Sequence, residues 1–333
     1  MLKRVVILLF AVVLSIVFLT SMLYAPHAEA AKSCSGKNVY PSQDLASVAA
    51  SSPDGTTFCV HDGTYSISSP VKVGNKDRFI GVYNDSTRPE VKTDKALQVF
   101  NANSSSGALI EGLKISGAVG GNYCEPGCGQ GIRGGNNLTV RDAWITGNKN
   151  NGIGGAGSNL LVENSTIDRN GSYSFTILDG GKSSAAGIKS AQSPLTVRNS
   201  KISNNYWSGV WCDIDCDALT VEGNTITGNG KAGIQDEVSE GPAVIRNNII
   251  KGNGVLPAAQ YHVGLLVSNS ANIDAYGNTF GGNVSHGIQV IESSRPPDVR
   301  NVRIHDNTMN GDTIASNNKV GCTIVGVTCS KNS

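Results

Sequence analysis

Gly209-Val210-Trp211-Cys212 opens a stretch that runs through Leu219-Thr220-Val221 and Asn224-Thr225-Ile226 to Asn229, and the chain then does the same again: Gly233-Ile234, Val244-Ile245, Asn248-Ile249-Ile250, Asn253. Working outward, the same opening recurs at Gly131-Ile132, Gly152-Ile153, Gly187-Ile188, Gly264-Leu265 and Gly287-Ile288. Successive opening glycines are 21, 35, 22, 24, 31 and 23 residues apart, so the base period is about 21–24 residues with two expansions. Each cycle reads as three short strands separated by turns. A period in the twenties made of three strands per turn, each stacking on the next, predicts an all-β chain wound as a single-stranded right-handed parallel β-helix. Forty glycines and few helix-favouring runs agree with it.

The asparagines share the phase. Aligning the third strands puts Asn148, Asn170, Asn205, Asn229, Asn253 and Asn283 in one column, continued by Asp312; a second column holds Asn224, Asn248, Asn278 and Asn307. Asn accepts the left-handed turn conformation, and its amide can bond its copy one coil away. Three glycosylation sequons, at Asn164, Asn170 and Asn283, read as incidental in a chain this rich in Asn and Ser.

The ends differ from the repeats. Lys3-Arg4, an apolar run from Val5 to Leu19 and Ala28-Glu29-Ala30 read as a signal peptide over 1–30, cleaved near Ala30-Ala31, which predicts a secreted protein without stable membrane insertion. Residues 31–105 read as an N-terminal cap and first coils, with a short helical pattern at Asp44–Ala50 covering the open end of the stack. The β-helix proper is assigned to 106–315 and a C-terminal disulfide-linked tail to 316–333. Eight cysteines fall as sequence neighbours, Cys34/Cys59, Cys124/Cys128, Cys212/Cys216 and Cys322/Cys329. An even number in an exported chain reads as disulfides, although the connectivity stays open. Zinc would need a histidine at ligand spacing beside the Cys-x3-Cys pairs, and none is there. If Cys212 and Cys216 are joined, the chain must turn between them.

Residues 1–30 carry Lys3, Arg4 and Glu29, so the remainder holds equal numbers of basic and acidic side chains. That balance indicates neither nucleic acid nor a charged membrane surface as a partner, and a monomer is expected.

With the Gly-Ile…Asn-x-Ile…Asn rhythm goes Gly63-Thr64-Tyr65 after the N-terminal cap. On these features the chain resembles the pectate-lyase-like superfamily of secreted right-handed β-helix proteins over nearly all of its mature length. Gly209-Val210-Trp211-Cys212-Asp213-Ile214-Asp215 and Gly233-Ile234-Gln235-Asp236-Glu237-Val238-Ser239 are similar to a paired motif in a widespread set of such proteins. The Trp-Ile-Asp-His and Arg-x-Pro-x-x-Arg signatures of pectate lyases and the Gly-His-Gly of polygalacturonases have no counterpart. The resemblance implies the fold and an action on polysaccharide, and favours a lyase, while the carboxylate geometry of that paired motif suits a hydrolase equally.

Superposing the first strands sorts candidates by position. Two residues after the glycine come Arg133, Gly154, Lys189, Trp211, Gln235, Leu266 and Gln289; four after it come Asp213, Glu237 and Ser268; six after it come Asp215, Ser239, Ser270 and Ser293. The residues between are mostly apolar, so alternation turns Lys189, Trp211, Asp213, Gln235 and Glu237 outward together. Asp213 and Glu237, one coil (~4.8 Å) apart, approach the ~5 Å carboxyl spacing of a retaining glycosidase, and Asp213 with Asp215 the wider spacing of an inverting one. Stacked carboxylates could also hold Ca²⁺. Lys189 is the candidate base for β-elimination on a uronate polymer, and Trp211 the candidate platform for a sugar ring. The two long spacings insert residues near 172–186 and 255–262 beside this face, bringing Tyr261, His262 and Asp179 toward it. Catalytic candidates are therefore Lys189, Asp213 and Glu237; Trp211, Gln235, Asp215, His262, Tyr261 and Arg133 would bind polysaccharide. A glycan-binding or structural protein without catalysis is the alternative.

Overall fold

The computed structural model describes residues 33–84, 87–120, 128–155, 157–173, 185–216, 218–317 and 319–333. The leader, Cys124 and Asp179 lie outside the described residues. Three sheets of 12, 11 and 9 strands run along one axis, because each coil gives one short strand to each sheet and bonds in parallel to the coils on either side. Along the 11-stranded sheet the strands are β1 (Val71–Lys72), β2 (Gln98–Asn101), β3 (Gln130–Arg133), β4 (Ile153–Gly155), β5 (Ile188–Ala191), β6 (Val210–Asp213), β7 (Ala232–Glu237), β8 (Val263–Ser268), β9 (His286–Ile291), β10 (Ile314–Ser316) and β11 (Lys319–Val320). Only β11 pairs antiparallel among the described pairings, closing that edge of the sheet.

The core is a set of apolar columns. Ile132, Ile153, Ile188, Val210, Ile234, Leu265 and Ile288 lie in register from coil to coil and are wholly buried. The helix α1 (Leu45–Ala50) begins at Asp44, whose carboxylate accepts the Ala46 N–H at 3.1 Å, and buries Leu45, Ala46 and Ala49.

Both asparagine columns exist as continuous amide ladders. In the first, each Nδ2 donates to the Oδ1 of the next coil: Asn148 to Asn170 at 2.9 Å, Asn170 to Asn205 at 3.1 Å, Asn205 to Asn229 at 3.0 Å, Asn229 to Asn253 at 2.9 Å, Asn253 to Asn283 at 3.0 Å, and Asn283 to the Asp312 carboxylate at 2.6 Å. The second joins Asn224, Asn248, Asn278 and Asn307 in the same way and reaches Asn332. The left-handed conformation expected of these asparagines belongs instead to the residue before each: Gly147, Arg169, Asn204, Gly228, Gly252 and Gly282 have positive φ, and the ladder residues do not. The preceding residue makes the corner, which leaves the ladder amide pointing inward.

The opening glycines follow from the ladder. A Cβ on Gly209 would stand 2.6 Å from the Gly233 carbonyl oxygen and 2.9 Å from Asn229 Nδ2, and Gly187 is hemmed in the same way by Gly209 and Asn205. The two halves of the repeat are one device: the amide occupies the volume that any side chain at the strand opening would need.

Disulfides join Cys34 to Cys59, Cys212 to Cys216 and Cys322 to Cys329, with Cα atoms 5.6, 5.8 and 6.2 Å apart. Cys128 is also disulfide-bonded. The turn required between Cys212 and Cys216 is made by Ile214 and Asp215, both at positive φ. That turn corrects one expectation: β6 ends at Asp213, so Asp215 leaves the column and is exposed, whereas Ser239 and Ser270 are buried. The Asp213–Asp215 pairing on one strand face is therefore withdrawn. Among the described residues no helix is long and apolar enough to cross a membrane.

Candidate functional site

The outer face of the 11-stranded sheet carries the candidates in the expected register. Arg133 pairs with Gly154, Gly154 with Lys189, Lys189 with Trp211 and Trp211 with Gln235, while Asp213 pairs with Glu237. Lys189 Nζ lies 2.9 Å from Asp213 Oδ2 and 3.7 Å from the centre of the Trp211 ring. Glu237 accepts from Gln235 Nε2 at 2.6 Å and pairs with Arg295 at 3.2 Å. The sheet thus brings Lys189, Trp211, Asp213, Gln235 and Glu237 together. Arg133 stands two coils before Lys189, and Asp215 lies beyond the turn.

Trp211 and Gln235 differ from the open platform expected of them. Trp211 is only 6% exposed and Gln235 fully buried, although both point away from the core. The residues ahead of the opening glycines cover them. Ser208 Oγ donates to Gln235 Oε1 at 2.7 Å, and Lys231 reaches over the aromatic rings.

Lys231 is the functional candidate that the sequence reading missed. Its ammonium lies 5.3 Å from the ring centre of Trp207, 5.4 Å from Trp211 and 5.6 Å from Tyr261, and it forms no ion pair among the described residues. Burial pulls its pKa down to about 8; Glu237 and Asp213 hold it up in part, and Lys189 opposes them. Burial raises the Tyr261 hydroxyl above its ordinary value, with Glu237 adding to the effect. His262 Nδ1 sits 2.8 Å from the Gly254 carbonyl, tied to its own loop. A signal for Lys231 was available: it and Trp207 both stand two residues before an opening glycine, so extending the alignment upstream would have stacked them.

One acid of these strands points inward. Asp236 is buried between Cys212 and Val267 in register, and neither carboxyl oxygen has a hydrogen-bond partner. Burial raises its pKa to about 7. The nearby Ser239 hydroxyl works against this rise, and the charge of Glu237 adds to it.

Calcium does not suit this donor set. Ca²⁺ takes six to eight oxygen ligands, whereas Asp213 and Glu237 are each paired with a cation and Lys231 adds a third positive charge nearby. No cluster of three metal-ligating side chains occurs among the described residues.

A family model described as right handed beta helix region matches residues 93–255 and 184–333. The chain belongs to the right-handed β-helix family. The resemblance to pectate-lyase-like proteins holds for the fold. A comparison with curated protein sequences finds no match. Among solved structures, this β-helix is similar to the catalytic unit of a thermostable GH87 α-1,3-glucanase from Streptomyces thermodiastaticus strain HF3-3 (TM-score 0.63, 18% identity, 86% of this chain and 57% of that one). It is also similar to an endo-xylogalacturonan hydrolase from Aspergillus tubingensis (0.53, 12%, 89% and 92%) and to the Dettilon tailspike protein (0.52, 14%, 82% and 62%). The chain spans about three-fifths of the length of the tailspike and glucanase structures.

Proposed function

We propose that this protein acts on a polysaccharide lying along the outer face of the 11-stranded sheet, and that the reaction is β-elimination on a uronate polymer. The observation that carries the reading is Lys231, an amine walled in by three aromatic side chains, beside Asp213 and Glu237, with a pKa of about 8. Such an amine is partly neutral near neutral pH and can take a proton. Lys189, expected to be the base, lies 2.9 Å from Asp213 and serves better to orient that carboxylate and to meet the substrate's charge. Neutral Lys231 removes the proton α to the uronate carboxylate, the bond to the β-oxygen breaks, a double bond forms in the sugar ring, and the departing chain takes a proton from water. The polysaccharide hydrolases among the structural neighbours favour a carbohydrate substrate, and disulfides fit a secreted protein.

Hydrolysis by Asp213 and Glu237 is less well supported, because a general acid needs a proton and each carboxylate faces a cation. Incubation with uronate polymers, followed by ultraviolet absorbance of unsaturated chain ends, tests the proposal. The rate should climb with pH as Lys231 loses its proton, reach half its plateau near pH 8, and level off only above that. Lys231→Arg, which keeps the charge but cannot become neutral, should lower kcat at least about a hundredfold. New reducing ends without that absorbance would mean hydrolysis, and binding without any cleavage would mean a glycan-binding protein.

A further inference from the structure

Basic side chains recur on the outer face of the 11-stranded sheet at every second coil. Read in register from the N-terminal end, its outward column is Lys72, Asn101, Arg133, Gly154 and Lys189, then Trp211 and Gln235. Lys231 enters the Gln235 coil: its backbone N–H donates to the Trp207 carbonyl of the coil before, and β7 begins at the next residue. Lys72, Arg133, Lys189 and Lys231 therefore stand on four coils, with one coil left out between each and the next. Two coil steps are about 10 Å. From Lys72 to Lys189 the column holds no acid.

Exposure grows away from the candidate base. Lys231 is buried, Lys189 has 21% of its side chain exposed, Arg133 is half-buried and Lys72 is exposed. Lys72 and Arg133 form no ion pair among the described residues. Their charges rest comfortably in water, so the weight falls on their spacing. An extended 1→4-linked pyranose chain advances by roughly one coil step (~4.8 Å) per sugar. In a two-fold ribbon each sugar is also turned over relative to the last, so carboxylates face the sheet on every second sugar. That is the interval of the basic side chains. Arg133 can offer such a carboxylate two parallel N–H donors, and the lysines offer point charges.

We infer that Lys72, Arg133 and Lys189 form a row that reads carboxylates, running from Lys231 toward the N-terminal end and taking an extended two-fold polymer with an acidic group on every second sugar of one face. The inference rests on the proposal that Lys231 acts on a polysaccharide along this sheet. Counting the sugar attacked by Lys231 as the first, the third meets Lys189, the fifth Arg133 and the seventh Lys72. A uniform uronate chain and a chain alternating uronate with neutral sugars both present this spacing.

The test is a size series of each kind, from dimer to octamer, with neutral gluco-oligosaccharides as control, on the wild type, Arg133→Ala and Lys72→Ala. Affinity is read as KM where the oligomer is cleaved and as Kd where it is not. For the wild type it should rise in steps, at trimer, pentamer and heptamer, each about three- to fivefold, the worth of a partly exposed ion pair. Added salt should flatten the steps. Arg133→Ala should erase the step between tetramer and pentamer, and Lys72→Ala the step between hexamer and heptamer. Thermal melting checks the fold, and Arg133→Gln replaces Arg133→Ala if that variant does not fold. Steps on only one of the two acidic series support the row and name its polymer. Steps without unsaturated products support the row and remove the elimination. Unsaturated products with an affinity that rises smoothly with length, or with losses in the variants that are equal at all lengths, overturn the row and leave the reaction standing. A wild type that binds no acidic oligomer overturns both.

Discussion

Asp236 shows what alternation along a strand reveals and what it conceals. Its inward position follows from its place between Gln235 and Glu237, but its chemistry follows from the walls around it. In the unfolded chain its carboxyl titrates at the ordinary value of 3.8; in the fold, burial moves it to about 7. Below about pH 4 it is protonated in both states and costs nothing by ionisation. As pH rises, the unfolded chain ionises first, so stability falls until about pH 7 and then stays level. The loss is up to about 4 kcal/mol by linkage. Asp236→Asn should therefore remove this part of the pH dependence and unfold at a higher temperature than the wild type at pH 8, with a much smaller gap at pH 4.5. Melting curves at both values check it, and a gap that does not widen with pH refutes protonated burial. Trp211 gives the complementary case. Its direction was legible from alternation, but its cover was not, because Lys231 and Trp207 enter from residues ahead of the repeat's opening glycine.

Between neighbouring coils the ladder and the opening glycine work as a pair. Asn229 donates through Nδ2 to Asn253 and to the Ile202 carbonyl, and its Oδ1 accepts both the backbone and side-chain N–H of Asn205. Asn229→Ala would strip partners from all of these groups inside the core, and should cost about 3 kcal/mol. Gly209→Ala drives a methyl into Asn229 and the Gly233 carbonyl and should be comparably harmful, whereas Gly252→Ala, with open space around its Cβ, should carry only the strain of its φ of 60°. Equal losses for Gly209→Ala and Gly252→Ala in denaturant titrations would sink this account. The columns could be read in the sequence because both residue types recur at fixed phase. A second surface column could not. On the 12-stranded sheet Glu111, Arg141, Glu163, Arg198, Glu222 and Arg246 succeed one another in register, and Arg141 pairs with Glu111 at 2.8 Å and Arg198 with Glu163 at 2.7 Å. The sign alternates from coil to coil, so a residue type returns only every second coil and the single-coil period is hidden. A slip by one coil would set like charges face to face, which defends the register.

Across the whole molecule, each coil touches chiefly its two neighbours, so stability is close to a sum of coil and interface terms. The described disulfides respect this, closing 25, 4 and 7 residues and binding no distant coils together. Hydrogen exchange should be slowest in the central coils, near 195–250, and faster toward the terminal ones. Uniform protection from end to end would show a more global cooperativity than the stack implies. The overall architecture was the most legible level, since a period in the twenties with three apolar strands admits few other folds. The site was legible only as a face. Which groups on that face are charged, covered or unpaired depends on side chains arriving from the interruptions of the period, where the repeat offers no alignment.

The first amide column also has an electrical sense. Every side-chain bond in it runs the same way, from one coil's N–H to the next coil's oxygen, so the peptide-like dipoles add and leave their positive pole at Asn283. There the partner is Asp312, an anion, which satisfies that pole and has no N–H to hand on. The column is vectorial and closed by charge: another coil stacked beyond Asp312 would meet an acceptor where it needs a donor, and growth of the helix by end-to-end addition of a second molecule is discouraged at that point.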